Sequence, residues 1–339
     1  MKKILVGLLA VFIVLAVALL VLVNRWSRTP YGHLDPKAAV LLKYVEITGK
    51  GSSFAQVTPA ALRTWYKESW RGKGVKVEWV EDRLIPGPRG EIPVRIYADR
   101  GRGRRPAILY YHGGGWVAGG IDTHDNVTRY LASVSSCVVV SVDYRLAPEH
   151  PFPAAVEDAY AALQWVRANA EAIGADPQKI SVAGDSAGAN LAAVVSLLSR
   201  DKKGPEILCQ ALIYPVTDLS SMSTPSYEQF AERFFLTREG MEWFRSLYVP
   251  NKEDWDDPYV SPLLSKDHRN LPAAVVITAQ FDPLRDEGEA YAEKLRQAGV
   301  PVKLFRYEGM IHGFVSFPEL FGQARDALDR IAAEVNRSR

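Results

Sequence analysis

Cysteine is almost missing from this chain, with only Cys137 and Cys209 among 339 residues. Two thiols cannot build a disulfide scaffold or a Cys-rich metal site, so neither kind of staple holds the fold together. An excess of one charge is missing too: 41 basic residues stand against 39 acidic ones. Such a balance offers no extended field for a polyanion, which excludes nucleic acid as an expected partner. Apolar residues make up 47% and charged ones 24%, the composition of a chain that folds around a core rather than of a disordered or repeat-tract polypeptide.

Charge is absent altogether from residues 4–23, ILVGLLAVFIVLAVALLVLV. As a helix these residues would span about 30 Å, the thickness of a bilayer core. Lys2 and Lys3 precede the run, and Asn24, Arg25, Trp26 and Arg28 follow it, so both ends carry residues that pin a helix at the headgroups. A cleavable signal peptide is the rival reading, because Ala16-Val17-Ala18 has the small-x-small form of a processing site. The apolar run continues past that point and exceeds the length of a signal h-region, which favours an uncleaved anchor over residues 1–28 with membrane lipid as its partner. The amine and two lysines before the run, weighed against Arg25 and Arg28, put the N-terminus inside and the globular part outside the cytoplasm. A buried core helix is excluded because no soluble domain needs a helix apolar on every side.

Beyond the leader, short β-branched or aromatic runs recur at 107–111, 137–144, 179–183, 208–214, 273–279 and 302–307. Helical spacing fills 154–170, 187–200, 286–298 and 317–335. Strand alternating with helix predicts a mostly parallel sheet with helices on both faces, and VVVSV and AAVVIT read as strands buried on both sides. In such sheets chemistry gathers at the carboxyl ends of the strands.

Four strand ends carry residues suited to acyl transfer. Gly184-Asp185-Ser186-Ala187-Gly188 has the G-x-S-x-G form of a nucleophile elbow, a tight strand-to-helix turn that presents the serine. By itself the motif is weak, arising by accident in about one chain of this length in ten. His112-Gly113-Gly114-Gly115-Trp116 is far rarer, on the order of a few per thousand. Its glycines free backbone N–H groups to face a substrate, and with the N–H of Ala187 they would cradle an oxyanion. If the chain order is Ser, Asp, His, the base must follow Ser186. Only His268 and His312 do so; His312 follows a strand, whereas His268 reads as a solvated loop residue. Asp282 comes first past the preceding strand and is the expected acid, with Asp286, better suited to the start of a helix, as the alternative. Ser186 would then attack an acyl carbon, His312 relay the proton and Asp282 orient the imidazole.

HGGGW, GDSAG, DYRLAPEHPFPAAVED, DPLRDEG and HGF, in that order, resemble the hormone-sensitive-lipase-like branch of the α/β-hydrolase fold, a group of carboxylesterases. The resemblance extends over nearly all of residues 30–339. It implies an α/β-hydrolase fold with a helical cap, a small-molecule ester substrate, and no metal or organic cofactor. It also implies oxyanion duty for Gly113, Gly114 and Gly115 as a group with Ala187, a scaffold role for His112, and a structural role for Tyr144-Arg145-Leu146-Ala147-Pro148-Glu149. Residues 30–75 and an insertion at about 220–262 would form the cap over a catalytic domain spanning 76–339.

Within the cap segments, Ala38, Leu41, Leu42 and Val45 form one stripe, followed by Leu62, Trp65 and Trp70. Phe230, Phe234, Phe235, Trp243 and Phe244 are candidates for a pocket wall or for the cap's own packing. Phe234 and Phe235, together with Trp116 and Asp185, are the expected substrate contacts. Arg100, Arg102, Arg104 and Arg105 read as a solvated basic turn. Cys137 and Cys209 start strands that two others should separate, which puts them about 14 Å apart and rules out a disulfide. A noncatalytic ligand-binding or adhesion protein on the same scaffold, or, within enzymes, an amidase or deacetylase of envelope components, is the alternative function.

Overall fold

The computed structural model describes residues 2–48, 57–69, 74–99 and 104–337; Trp70, Arg71, Arg100 and Arg102 lie outside them. The chain opens with α1 (Lys2–Ser27), then β1 (Arg28–Thr29) and β2 (Gly32–His33), which pair as a minimal hairpin, then α2 (Pro36–Thr48) and α3 (Pro59–Ser69). The body follows: β3 (Trp79–Gly87), β4 (Gly90–Ala98), β5 (Arg105–Tyr111), α4 (Asp125–Ser135), β6 (Val138–Val142), α5 (Ala154–Asn169), β7 (Ala175–Asp185), α6 (Ala187–Asp201) and β8 (Cys209–Ile213). Next come α7 (Pro225–Gln229), α8 (Arg238–Tyr248), β9 (Ala273–Phe281), α9 (Arg285–Gln297), β10 (Val302–Ile311) and α10 (Gly322–Arg337).

Eight strands form one sheet in the order β10-β9-β8-β7-β5-β6-β4-β3. All pairs from β10 through β6 are parallel, and β4 and β3 add an antiparallel edge. The two-residue side-chain period of a strand divides the core into two faces. In β5, Ala107, Leu109 and Tyr111 enter the cluster shared with α5, α6 and α9. Ile108 and Tyr110 enter the opposite cluster, shared with α4 and α10. Both faces of the strand are therefore dry, and its sequence reads as an unbroken apolar run for that reason.

The edge hairpin of β3 and β4 carried no clear signal in the sequence. One of its faces meets solvent, and its charges are matched across the ladder, as where Arg95 Nε meets Asp82 Oδ1 at 2.5 Å. Such a strand loses the continuous apolar pattern by which the central strands were recognised. β6 and β8 are separated by β7 and β5, as strand order required, and Cys137 and Cys209 are buried free thiols. Burial pushes the Cys209 thiol up to about 12.

Residues 4–27 lie in a helix long and apolar enough to cross a membrane, and its most apolar 18-residue window has mean hydropathy 3.4 with no residue buried.

Candidate active site

The strand-to-helix turn at Ser186 is a backbone device. Ser186 sits between β7 and α6 at φ +55° and ψ −119°, a conformation costly for any residue with a Cβ. Its N–H donates to the Ile213 carbonyl at 2.9 Å, which holds the turn against β8. Close approach of chain to chain demands glycine at Gly188, where an added Cβ would lie 1.9 Å from the Tyr111 oxygen.

Asp282 follows β9 immediately, and His312 follows a register shift in β10 between Tyr307 and Ile311. The two meet at 2.7 Å, His312 Nδ1 to Asp282 Oδ2, while Leu284 N donates to Asp282 Oδ1 at 2.8 Å. On its other side the imidazole presents Nε2 to Ser186 Oγ at 3.0 Å. All three side chains are buried, and the Tyr214 ring packs on the imidazole with centroids 4.5 Å apart. An alcohol, a ring nitrogen and a carboxylate separated by up to 126 positions thus share one hydrogen-bonded line. Asp286 is elsewhere, accepting from Ser226 N at 2.8 Å in the first turn of α9.

The glycine loop is braced from behind. Gly113 N donates to Asp185 Oδ1 at 3.0 Å, so that N–H is already engaged. Gly114 and Gly115 adopt φ +119° and +62°, and the Gly114 carbonyl accepts from Val117 and Ala118. Among the described residues, the Gly114 and Gly115 N–H groups donate to no protein acceptor. Ala187 opens α6, where first-turn N–H groups have no intrahelical partner.

Several expected substrate contacts are packed against the protein's own side chains. Asp185 takes the Tyr110 hydroxyl at 2.7 Å besides Gly113 N, and His124 Nε2 lies 3.4 Å away, so its carboxylate is enclosed by the loop rather than open to a ligand. Trp116 is wholly buried and stacked on Tyr248 at 4.3 Å. Phe234 stacks on Phe281 and meets Phe230 edge-on, filling a small aromatic core. Phe235 stays half-buried and faces Trp65 of α3 at 6.4 Å, joining the two segments expected to form a cap. Phe244 is the aromatic that reaches the loop, for a Cβ on Gly115 would fall 2.2 Å from its ring.

The other histidines also sort themselves by burial. His112 is stacked on Tyr144 at 4.3 Å with Nδ1 2.9 Å from the Gly113 oxygen, and burial lowers it to about 3, so it is a neutral brace. Tyr144 adds its hydroxyl to the His112 carbonyl at 2.7 Å, and Arg145 grips Asp158, which gives that segment its structural role. His268 is not solvated as expected: it lies buried against Tyr291 with Nε2 3.0 Å from the Pro262 oxygen, and burial lowers its pKa. His124, beside Asp185, escaped sequence reading because a lone histidine in a loop carries no pattern.

Burial works against ionising the Asp185 carboxyl, but the His124 imidazole and the Tyr110 hydroxyl outweigh it and hold the group below the usual aspartate value. A depressed native value contributes stability that is complete above the unfolded-state pKa and is lost as pH falls through the native one. Replacing Asp185 by Asn should therefore flatten the loss of unfolding free energy as pH falls through and below the ordinary aspartate range, measured by denaturant titration at each pH. An unchanged slope would show that this carboxylate does not report folding.

Comparison with known proteins agrees with the geometry. Residues 108–316 match a family of the alpha/beta hydrolase fold. The chain is 43% identical to the carboxylic ester hydrolase LipN of Mycobacterium tuberculosis (strain ATCC 25618 / H37Rv) over 298 residues, covering 85% of this chain and 79% of LipN. It is 40% identical to the carboxylesterase NlhH of the same organism, covering 90% of this chain and 96% of NlhH. Among solved structures, a hyperthermophilic esterase from the archaeon Pyrobaculum calidifontis superposes with a TM-score of 0.84 at 44% identity, over 89% of this chain and 97% of that one. With the elbow, the glycine loop and the sheet order in place, the chain belongs to the hormone-sensitive-lipase-like family of α/β-hydrolase carboxylesterases.

Proposed function

We propose that this protein is a serine carboxylesterase that cleaves short or medium acyl esters through a covalent acyl-enzyme. The observation that carries the reading is the line from Ser186 Oγ through His312 to Asp282, at 3.0 and 2.7 Å. His312 Nε2 takes the hydroxyl proton as Oγ bonds to the acyl carbon, and returns it to the departing alkoxide as the ester C–O bond breaks. Water then attacks the acyl-serine by the same route, releasing the acid and restoring the hydroxyl. Asp282 keeps the Nδ1 proton directed toward itself, so that Nε2 remains the acceptor. Negative charge on the tetrahedral oxygen is met by the N–H groups of Gly114, Gly115 and Ala187. Gly113 is left out because its N–H serves Asp185. Phe244, against Gly115, borders the oxyanion loop, and the Trp65–Phe235 pair joins the two segments of the cap.

In this reading residues 30–75 and about 220–262 form the cap, the remainder of 76–339 is the catalytic domain, and α1 anchors the protein in a membrane with that domain outside the cytoplasm. The length and apolarity of α1 support the anchor. A fluorophosphonate probe applied to the purified protein should attach to one serine, identified as Ser186 by peptide mass spectrometry. Absence of labelling on folded protein would return the scaffold to a noncatalytic binding role.

A further inference from the structure

The passage from α1 into the catalytic body is bonded rather than loose. Leu34 N donates to Ser27 O at 2.8 Å across the β1–β2 hairpin, and Asp35 N donates to Gly309 O at 2.9 Å. Gln280 spans the junction, its Nε2 donating to Tyr31 O at 3.1 Å and its Oε1 accepting from Gly309 N at 2.8 Å. Gln280 lies two positions before Asp282 and Gly309 three before His312, so the exit of α1 is fastened at the strand ends that carry the acid and the base. Trp26, Leu41 and Leu42 pack into the adjoining core cluster, and α2 lies against α1.

α2 has two apolar faces and needs only one of them for packing. Ala38 and Ala39 are buried, whereas Val40, Tyr44 and Ile47 are 44%, 55% and 74% exposed. At 3.6 residues per turn, these three fall within an arc of about 60° on the outer side, with Lys37 and Lys43 flanking it. Tyr31 is exposed as well, and so is Leu320, whose carbonyl accepts from Lys37 Nζ at 2.8 Å. Apolar side chains scattered singly on a surface need no explanation, but an aligned stripe implies something that covers it.

Eight residues, folded into the hairpin, separate the end of α1 from the start of α2, so α2 cannot leave the neighbourhood of the headgroups once α1 is inserted. A helix with an apolar stripe, an aromatic among its members and lysines at its margins has the composition that lies in a membrane interface. We propose that the outer face of α2, through Val40, Tyr44 and Ile47, is a second membrane contact seated in the headgroup boundary of the bilayer that α1 crosses. The inference rests on the anchor reading of α1. Its consequence is a fixed attitude of the domain, with the triad end of the sheet turned toward lipid.

The test uses the full chain reconstituted in vesicles of phosphatidylcholine and phosphatidylglycerol. An environment-sensitive NBD label is attached at Ile47→Cys or Val40→Cys, and in a control at Glu206→Cys, an exposed site at the opposite, amino ends of the strands. The native cysteines are buried and stay unlabelled in the folded protein. Flotation with the vesicles reads the anchor, and quenching by spin-labelled phosphatidylcholine reads the docking. Expected is flotation of every variant, with labels at 47 and 40 blue-shifted and quenched severalfold more than the label at 206. Flotation without lipid quenching at 47 and 40 would overturn the docking and leave the anchor standing, and a blue shift without quenching would assign the stripe to a second copy or another protein. Equal quenching at all three sites would mean unspecific adsorption and would also overturn it. Failure to float would overturn the anchor, and the docking with it.

Discussion

Replacing Ser186 by alanine should lower kcat for p-nitrophenyl butyrate by roughly 10⁴- to 10⁶-fold, because the nucleophile and its base act as one unit and the loss of either removes nearly the whole of covalent catalysis. What remains would come from binding and from the oxyanion donors, which do not depend on the hydroxyl. Folding should be retained. Alanine keeps the Cβ of serine, so the strain stored at φ +55° is unchanged, and the hydrogen bond lost to His312 Nε2 is worth only about 1 kcal/mol net. Ser186→Gly gives an internal check: it should be as inactive as the alanine variant yet more stable by about 1–3 kcal/mol, since glycine relieves the strained backbone. Kinetics on both variants, with denaturant unfolding beside them, separate chemistry from stability. Turnover of Ser186→Ala near the native rate would sink the acyl-enzyme mechanism.

Gly188→Ala should be the most damaging single methyl group in the molecule. The new Cβ would stand 1.9 Å from the Tyr111 oxygen and 2.6 Å from the His112 oxygen, both backbone atoms of the segment that leads into the glycine loop. Neither atom can rotate away, so β5 and α6 must separate, at a cost of at least about 3 kcal/mol for overpacking of a closed interior. The same displacement carries Gly114 and Gly115 away from the position where the oxyanion forms. Removal of one such donor typically costs about 10²- to 10³-fold in kcat, and a comparable loss is expected in whatever fraction of the variant folds. Gly322→Ala is the contrast, because nothing lies within 4 Å of where its Cβ would stand at the start of α10. It should leave kcat unchanged and stability equal or slightly raised, as alanine favours a helix over glycine. A Gly188→Ala protein with native melting behaviour and native kcat would show that the approach of elbow and loop is not required.

Most of the fold was legible because its parallel strands are buried on both faces and so appear as continuous apolar runs bounded by the motifs. The antiparallel edge of β3 and β4 was not, since a strand wet on one side mixes charge into its pattern. The minimal β1–β2 hairpin was equally silent, because two-residue strands have no period to detect. The segments expected to form a cap read as helical and aromatic, but their aromatics could not be sorted until Phe234 was seen against Phe281 and Phe244 against Gly115.

The family resemblance and the proposed roles were carried by the sequence alone: a rare glycine loop, an elbow, and one acid and one histidine at the ends of later strands. Local chemistry of this kind survives in the linear order because each motif must supply particular atoms within a few residues. Only the tertiary structure decided which donors are free and which side chains are occupied. The Gly113 N–H is engaged, where those of Gly114 and Gly115 are not, because Asp185, 72 positions away, claims it. Trp116 and His268 are interior because distant segments close over them, and contacts made across such separations leave no trace in the spacing of residues along the chain.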